Sequence, residues 1–246
     1  MGATRFPGKP LANIHGIPMV GHCYHRTRLA FGLSEVFVAT CDPEIAEYVK
    51  SIGGKAVLTS KNHTRATTRT AEAMEIIEKE TGDKVDIVVM VQGDEPLIQP
   101  ETITEMLENF SEKTINIVNI MSRLKTYEQF IDKNNVKVVV NKHFDALYFS
   151  REAIPSPWRG HEDIPMYMQT GIIAFRRDEL FKFNKMEESL LEKTESVDMN
   201  RVLESGGRIR MVLTEVTTIG VDTPEEMLEA EKLMTLDLTL KRYWTI

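Results

Sequence analysis

The sequence predicts an α/β protein: a mostly parallel sheet with helices on both faces, plus a smaller antiparallel extension. Two observations carry this. In the first half, short apolar runs alternate with amphipathic stretches of helical length, and strands separated by such helices imply right-handed crossovers and a parallel sheet. In the middle, runs of strand character follow one another with mainly loops between them, the pattern of antiparallel pairing. No repeat or Pro/Ser-rich linker interrupts the chain, so residues 1–246 are expected to form a single domain.

The elements follow in order. "SEVFVAT" (34–40) reads as a buried strand, "PEIAEYVKSIGG" (43–54) as a short helix ending on glycine, and "KAVLTS" (55–60) as the next strand. Residues 70–82 have helical spacing and stop at Gly82, before "VDIVVMVQGDEP" (85–96) supplies the most hydrophobic strand. "INIVNIM" (115–121), "VKVVV" (136–140), "ALYFS" (146–150) and "YMQTGIIAF" (167–175) read as the antiparallel strands. "RIRMVLTEVTTIGV" (208–221) reads as one more strand, ending at Asp222. "DTPEEMLEAEKLM" (222–234) closes the fold as a helix, with Thr223 as N-cap, Pro224 at the first helical position and Glu226 completing a capping box. "TLKRYWTI" (239–246) reads as a docked tail.

Composition excludes several classes. At 246 residues, 42% hydrophobic and 27% charged, the chain is an ordinary globular one. No stretch reaches the ~18 consecutive apolar residues of a membrane span. The start lacks the charged segment and apolar run of a secretory signal. Cys23 and Cys41 lie in no metal-like spacing, which fits a reducing cytoplasm. The net charge of -7 argues against general nucleic-acid binding. A nucleotide substrate needs only a local cluster of cations.

In such sheets ligands bind beyond the carboxyl ends of the strands. Three features are expected there: Asp42, the segment Gln92–Pro96, and Asp222. The opening loop "GATRFPGKP" superficially resembles a P-loop. Yet five residues rather than four separate Gly2 from Gly8, and Pro10 replaces the Ser or Thr that would hold magnesium. A Walker NTPase is therefore excluded. Gly8 still permits close backbone approach, Pro7 and Pro10 stiffen the loop, and Arg5 and Lys9 bring a planar fork and a point charge to one spot. That pair suits a triphosphate; the competing reading is a solvated basic turn.

An acidic pair directly after a buried strand is costly unless a cation or donor compensates it. Asp94 suits a hard oxygen ligand for magnesium, while the competing reading makes Asp94 and Glu95 a turn or a helix N-cap before "QPETITEML" (99–107). Asp222, relieved of capping by Thr223, could join Asp94 from a separate strand to make a magnesium site facing Lys9 and Arg5; taken alone it is a helix-start residue. The six histidines form no triad or metal set. None is needed, because phosphoryl chemistry rests on positioning and electrostatics.

The motifs "ATRFPGKPL", "VATCD", "VQGDEPLI", "NNVKVV", "ALYFSREAIP", "LEKTES", "RVLESG" and "GVDTPEE" occur in an order that resembles the 3-deoxy-manno-octulosonate cytidylyltransferases, or CMP-Kdo synthetases, from Ala3 to about Met234. The resemblance implies a Rossmann-like three-layer nucleotidyltransferase fold and a magnesium-dependent reaction of CTP with a ketosidic sugar acid. It also implies a role in lipopolysaccharide precursor synthesis and a homodimer. By matching position, Ala3, Arg5, Gly8, Lys9, Arg69, Gln92 and Asp94 fall on the nucleotide side, with Lys9, Arg5 and Asp94 carrying the chemistry. Asp94 and Asp222 would bind Mg2+, and Arg151 in "YFSR" matches a residue on the sugar side.

Departures cluster on that sugar side. "NHTRATTR" (62–69) stands in place of D-H-x-S-G-T-[DE]-R, so Arg65, Ala66 and Thr68 replace Ser, Gly and an acid while His63, Thr67 and Arg69 match. Gln169 stands where the family has His, and Asp198-Met199 where it has Glu-Gln, with Arg201 retained. Arg65, Arg151, Gln169 and Asp198 are thus the sugar-side candidates, in a site altered toward a modified acid such as an amino analogue. The alternatives are another nonulosonic-type sugar acid, or a CTP binder without turnover. A sugar-1-phosphate nucleotidyltransferase is close in fold, but its phosphate loop is richer in glycine. The resemblance also implies an apolar strand ending in roughly I-P-A-R ahead of the opening loop, so the chain is expected to start inside the motif through a mis-called start or a truncation.

Overall fold

The computed structural model describes residues 6–160, 163–216 and 219–244. Its chain opens with a 3-10 turn, Lys9–Leu11, then β1 (Asn13–Ile14), β2 (Ile17–Pro18) and α1 (Met19–Arg28). β3 (Phe37–Thr40), α2 (Pro43–Ser51), β4 (Lys55–Leu58), α3 (Ala66–Thr81), β5 (Ile87–Val91) and α4 (Pro100–Glu108) alternate through the first half. There follow β6 (Ile117–Arg123), α5 (Tyr127–Ile131), β7 (Lys137–Val140), β8 (Ala146–Ser150) and β9 (Tyr167–Arg176). α6 (Arg177–Lys185), α7 (Leu190–Glu195), α8 (Asn200–Glu204), β10 (Arg210–Thr214) and α9 (Pro224–Leu236) complete the order, before a last 3-10 turn, Leu240–Arg242.

The chain divides into two compact units. The first comprises residues 1–86, 90–104 and 218–246; the second comprises residues 87–89 and 105–217.

In the first unit β3 and β4 pair in parallel, Phe37 opposite Lys55 and Thr40 opposite Leu58. α2 crosses between them, and its Ile45 and Val49 pack with Val20 of α1. β1 and β2 form a minimal hairpin whose turn residues His15 and Gly16 both take positive φ (47° and 83°), as a type I′ turn requires. Ile14, Met19, Leu97, Val221, Ala230, Met234 and Leu240 make a second cluster, so α9 and the tail close over the hairpin. Tyr243 and Trp244 of the tail pack against that cluster.

The second unit holds a six-stranded sheet in the order β10-β6-β9-β7-β8, with β5 also paired to β9. β10 runs parallel to β6, while β6–β9, β9–β7 and β7–β8 are antiparallel. The antiparallel strands are therefore the body of this sheet rather than an appendage to a parallel one. β6 is buried over Ile117–Ser122, the sign of a strand covered on both faces.

Three boundaries near the expected site differ from the sequence reading. α3 begins at Ala66, four residues before the helical spacing becomes clear. α4 begins at Pro100, so Asp94 and Glu95 lie in a turn and do not cap it. β10 ends at Thr214, so Asp222 does not stand at a strand end. Its backbone N–H and that of Thr223 both donate to Glu226 Oε2, at 2.7 and 2.8 Å, which places Asp222 in the N-terminal cap of α9.

Candidate active site

Gly8 adopts φ 75°, a left-handed conformation that any other residue would hold under strain. It caps the 3-10 turn through its carbonyl, which accepts the Leu11 N–H at 2.9 Å. The turn places Lys9 so that its Nζ donates to Asp94 Oδ2 at 3.1 Å and to Asp222 Oδ1 at 2.9 Å. The ammonium is nearly buried, its side chain 11% exposed, while the two carboxylates are 28% and 45% exposed. Burial pulls the Lys9 pKa down, but the two carboxylates outweigh it and hold the ammonium above its usual value.

Asp94 follows β5 in the turn Gln92–Glu95, closed by the Glu95 N–H on the Gln92 carbonyl at 3.3 Å. Asp222 precedes α9, whose N-terminus carries the full capping box: Thr223 Oγ1 accepts the Glu226 N–H, and Glu226 reaches back. The two segments are joined by the backbone, since Val221 N–H donates to Asp94 C=O at 2.9 Å. All three side chains belong to the first unit. Two carboxylates side by side are a donor set that suits magnesium, which takes one or two carboxylates with water or phosphate completing the shell. Among the described residues no group of three or more His, Cys, Asp and Glu could hold a metal, so any ion here would rest on this pair.

The other nucleotide-side candidates fall as follows. Ala3 and Arg5 lie outside the described residues. Gln92 is half-buried in the β5 turn. Arg69, on α3, donates from Nη1 to Thr59 Oγ1 at 2.6 Å and to Ser60 C=O at 3.3 Å, holding the loop after β4. Glu72, absent from the sequence reading, fixes the same loop by accepting the Ser60 N–H at 2.8 Å and pairing with His63. The Ser60 N–H and His63 together hold its carboxyl below the usual range.

Arg65 precedes α3 in the first unit, with its carbonyl accepting from Thr68 Oγ1 at 3.0 Å. Arg151, Gln169 and Asp198 lie in the second unit. Arg151 directly follows β8, and Gln169 N–H donates to Val136 C=O at 2.8 Å. Because Lys137 pairs with Ser150 on one side and Met168 on the other, Arg151 and Gln169 both fall level with Val136. The Gln169 amide donates to Oδ1 of the fully buried Asn119, whose own amide donates to Thr170 and Ile172 carbonyls across a bulge in β6. Asp198 lies between α7 and α8, its carbonyl accepting Arg201 N–H at 3.1 Å. Arg201 is not free for substrate: it is buried in a bidentate pair with Glu192 at 2.6 and 2.7 Å. Glu195 carries no role in the sequence reading although it stands inside the quoted "LEKTES"; in the fold it touches Tyr148, Ser150 and Arg151.

A family model described as cytidylyltransferase matches residues 1–211, both units included. This chain belongs to the cytidylyltransferase family. Among relatives, the 3-deoxy-manno-octulosonate cytidylyltransferase of Geobacter metallireducens is 42% identical over 236 residues, covering 92% of this chain and 91% of its own length. The 8-amino-3,8-dideoxy-manno-octulosonate cytidylyltransferase of Shewanella pealeana is 39% identical over 239 residues, covering 96% of each. A solved CMP:2-keto-3-deoxy-manno-octonic acid synthetase, in complex with CTP, superposes with a TM-score of 0.87 at 36% identity, covering 96% of this chain and 95% of the other. The cytidylyltransferase thus has a mixed α/β nucleotidyltransferase fold. A glucose-1-phosphate thymidylyltransferase from Bacillus anthracis, at 15% identity and a TM-score of 0.67, shares the fold alone.

Proposed function

We propose that this cytidylyltransferase transfers CMP from CTP to the anomeric hydroxyl of a 3-deoxy-octulosonate-type sugar acid, Kdo or an amino analogue, and releases pyrophosphate for surface-glycan precursor synthesis. The observation that carries the reading is the Lys9 ammonium held between Asp94 and Asp222 on a glycine-led loop. Gly8 and Lys9 receive the phosphates, the lysine as a point charge. Asp94 and Asp222 would hold magnesium, which would supply positive charge at the reacting phosphate. The sugar hydroxyl attacks the α-phosphorus and the bond to the pyrophosphate oxygen breaks. Lys9 offsets the charge that develops on the leaving group.

The choice of acid is supported by the departures at Arg65, Gln169 and Asp198, and by the likeness to a relative named for an 8-amino acid. Gln169 tied to Asn119 offers a different hydrogen-bonding inventory from a histidine. We further infer that residues 1–246 work as one cytidylyltransferase domain, as a homodimer and in the cytoplasm. The family match across both units, the exposed Leu236 and Leu238 of the α9 end, and the two free cysteines are consistent with each in turn. No helix among the described residues is long and apolar enough to cross a membrane.

The test is a panel of sugar acids with CTP and magnesium, followed by pyrophosphate release. The amino analogue is expected to give the highest kcat/KM. Equal turnover of ordinary Kdo removes the modified-acid reading, and no turnover of any 3-deoxy-octulosonate removes the function.

A further inference from the structure

We infer that Glu195 is a positioning residue that holds Arg151 in the orientation the sugar acid requires, which rests on the reading of Arg151 as a sugar-side residue. Arg151 follows the last residue of β8, where a strand would ordinarily fray into a loop. Instead its backbone, Nε and Nη1 are all held within the second unit. Glu195 Oε2 accepts its backbone N–H at 2.8 Å, and the Glu195 carbonyl accepts its Nε–H at 2.8 Å. The Lys133 carbonyl accepts Nη1–H at 2.8 Å. The Arg151 carbonyl in turn accepts from Lys137 Nζ at 2.5 Å.

Lys137 is wholly buried and gives its other two N–H groups to the Asp132 and Asn135 carbonyls, at 2.7 and 2.6 Å. Burying an ammonium is costly even when all three donors are satisfied. Glu195 Oε1 is itself aimed by the Tyr148 and Ser150 hydroxyls, at 2.9 and 2.8 Å. Desolvation pushes its pKa up, but the Arg151 backbone N–H and the Ser150 and Tyr148 hydroxyls outweigh that and hold the carboxyl below its usual value. Two charged side chains thus converge on one arginine. Its Nη2 has no partner among the described residues, which leaves one edge of a fixed guanidinium for a carboxylate or hydroxyl oxygen of the acid.

Glu195→Gln keeps an acceptor for the two hydroxyls but sets an amide NH2 against the Arg151 N–H. In the full chain the sugar-acid KM is expected to rise about tenfold, the worth of one hydrogen bond to a charged group, with the CTP KM unchanged. Arg151→Ala is expected to raise it at least as much, and the double variant no further than Arg151→Ala alone. CTP-induced thermal stabilisation reports that each variant is folded; should Glu195→Gln fail it, Tyr148→Phe removes one aiming hydroxyl and is expected to give a smaller rise in the same KM. An unchanged sugar-acid KM in the Glu195 or Tyr148 variant, beside a raised one in Arg151→Ala, overturns the positioning role and leaves the Arg151 reading standing. No change in Arg151→Ala overturns both. Parallel rises in both KM values mark a merely structural role and overturn the proposal.

Discussion

The Asp94 carbonyl accepts the Val221 N–H at 2.9 Å, so the turn after β5 is stitched to the residue immediately before Asp222. That one backbone bond holds the main chains that carry the two aspartates side by side, and Lys9 Nζ bridges their carboxylates. The site is therefore held by the main chain and tuned by charge. A side chain can be changed there without dismantling the frame.

Lys9→Met leaves both carboxylates without their shared cation. Pyrophosphate release is expected to fall at least ~100-fold, the scale for losing one electrostatic donor at a reacting group. The pKa of Lys9 lies above 10.5 in the fold. Its contribution to stability is therefore fully present below 10.5 and is lost as pH rises through the raised value. Denaturant unfolding across that alkaline window should show wild type converging on Lys9→Met. A constant gap between them would remove the ion pair as the cause.

Asp94→Asn and Asp222→Asn are expected to abolish turnover while the fold survives. Both carboxylates are partly exposed, and such pairs are worth at most about 1 kcal/mol, or no more than about 4 °C in Tm for a chain of this size. Magnesium-dependent turnover retained in both variants would falsify the metal assignment.

Gly8→Ala meets no atom within 4 Å of the added methyl, yet it must hold φ 75°. The strain is about 1 to 2 kcal/mol, and the loop relieves it by shifting Lys9. The CTP KM is expected to rise several-fold with the sugar-acid KM unmoved, measured by varying each substrate in turn. Equal movement of both would detach the loop from nucleotide binding.

Period and capping made much of this fold legible. β7, β8 and β9 match their apolar runs, and the capping box before α9 follows from Thr223, Pro224 and Glu226. α1 was not legible because its ten residues bury His22, Arg26 and Thr27 beside its apolar ones, which erases the one-sided stripe of a surface helix. Lys9 is singled out by its glycine-led cationic loop, and Asp94 and Asp222 by expected strand-end positions and the family resemblance; Asp222 comes beside Asp94 although it stands before α9 rather than at a strand end. Lys137 and Glu195 were silent, since a charged residue in a strand or at a helix end reads as solvated until its partners are known. The tail reads as docked, but its partners were not legible: Tyr243 hydrogen-bonds across the chain to His22 at 2.7 Å and Arg26 at 3.0 Å of α1.

That docking makes stability pH-dependent through His22. Its Nε2–H donates to the Ile14 carbonyl at 2.8 Å, so Nδ1 is the acceptor for the Tyr243 hydroxyl. Complete burial, with the Arg26 guanidinium nearby, keeps the ring neutral and its pKa near 4 rather than 6.5. Between those two values the unfolded chain binds a proton that the folded one refuses. The His22 contribution is fully present above pH 6.5 and falls away as pH drops toward 4. The whole swing is on the order of 3 kcal/mol. His22→Gln can still donate to Ile14 and accept from Tyr243 without titrating. Its unfolding free energy is expected to fall less steeply than that of wild type between pH 6.5 and 4, read by denaturant titration at each pH. Identical slopes would mean that the acid sensitivity of this chain arises elsewhere.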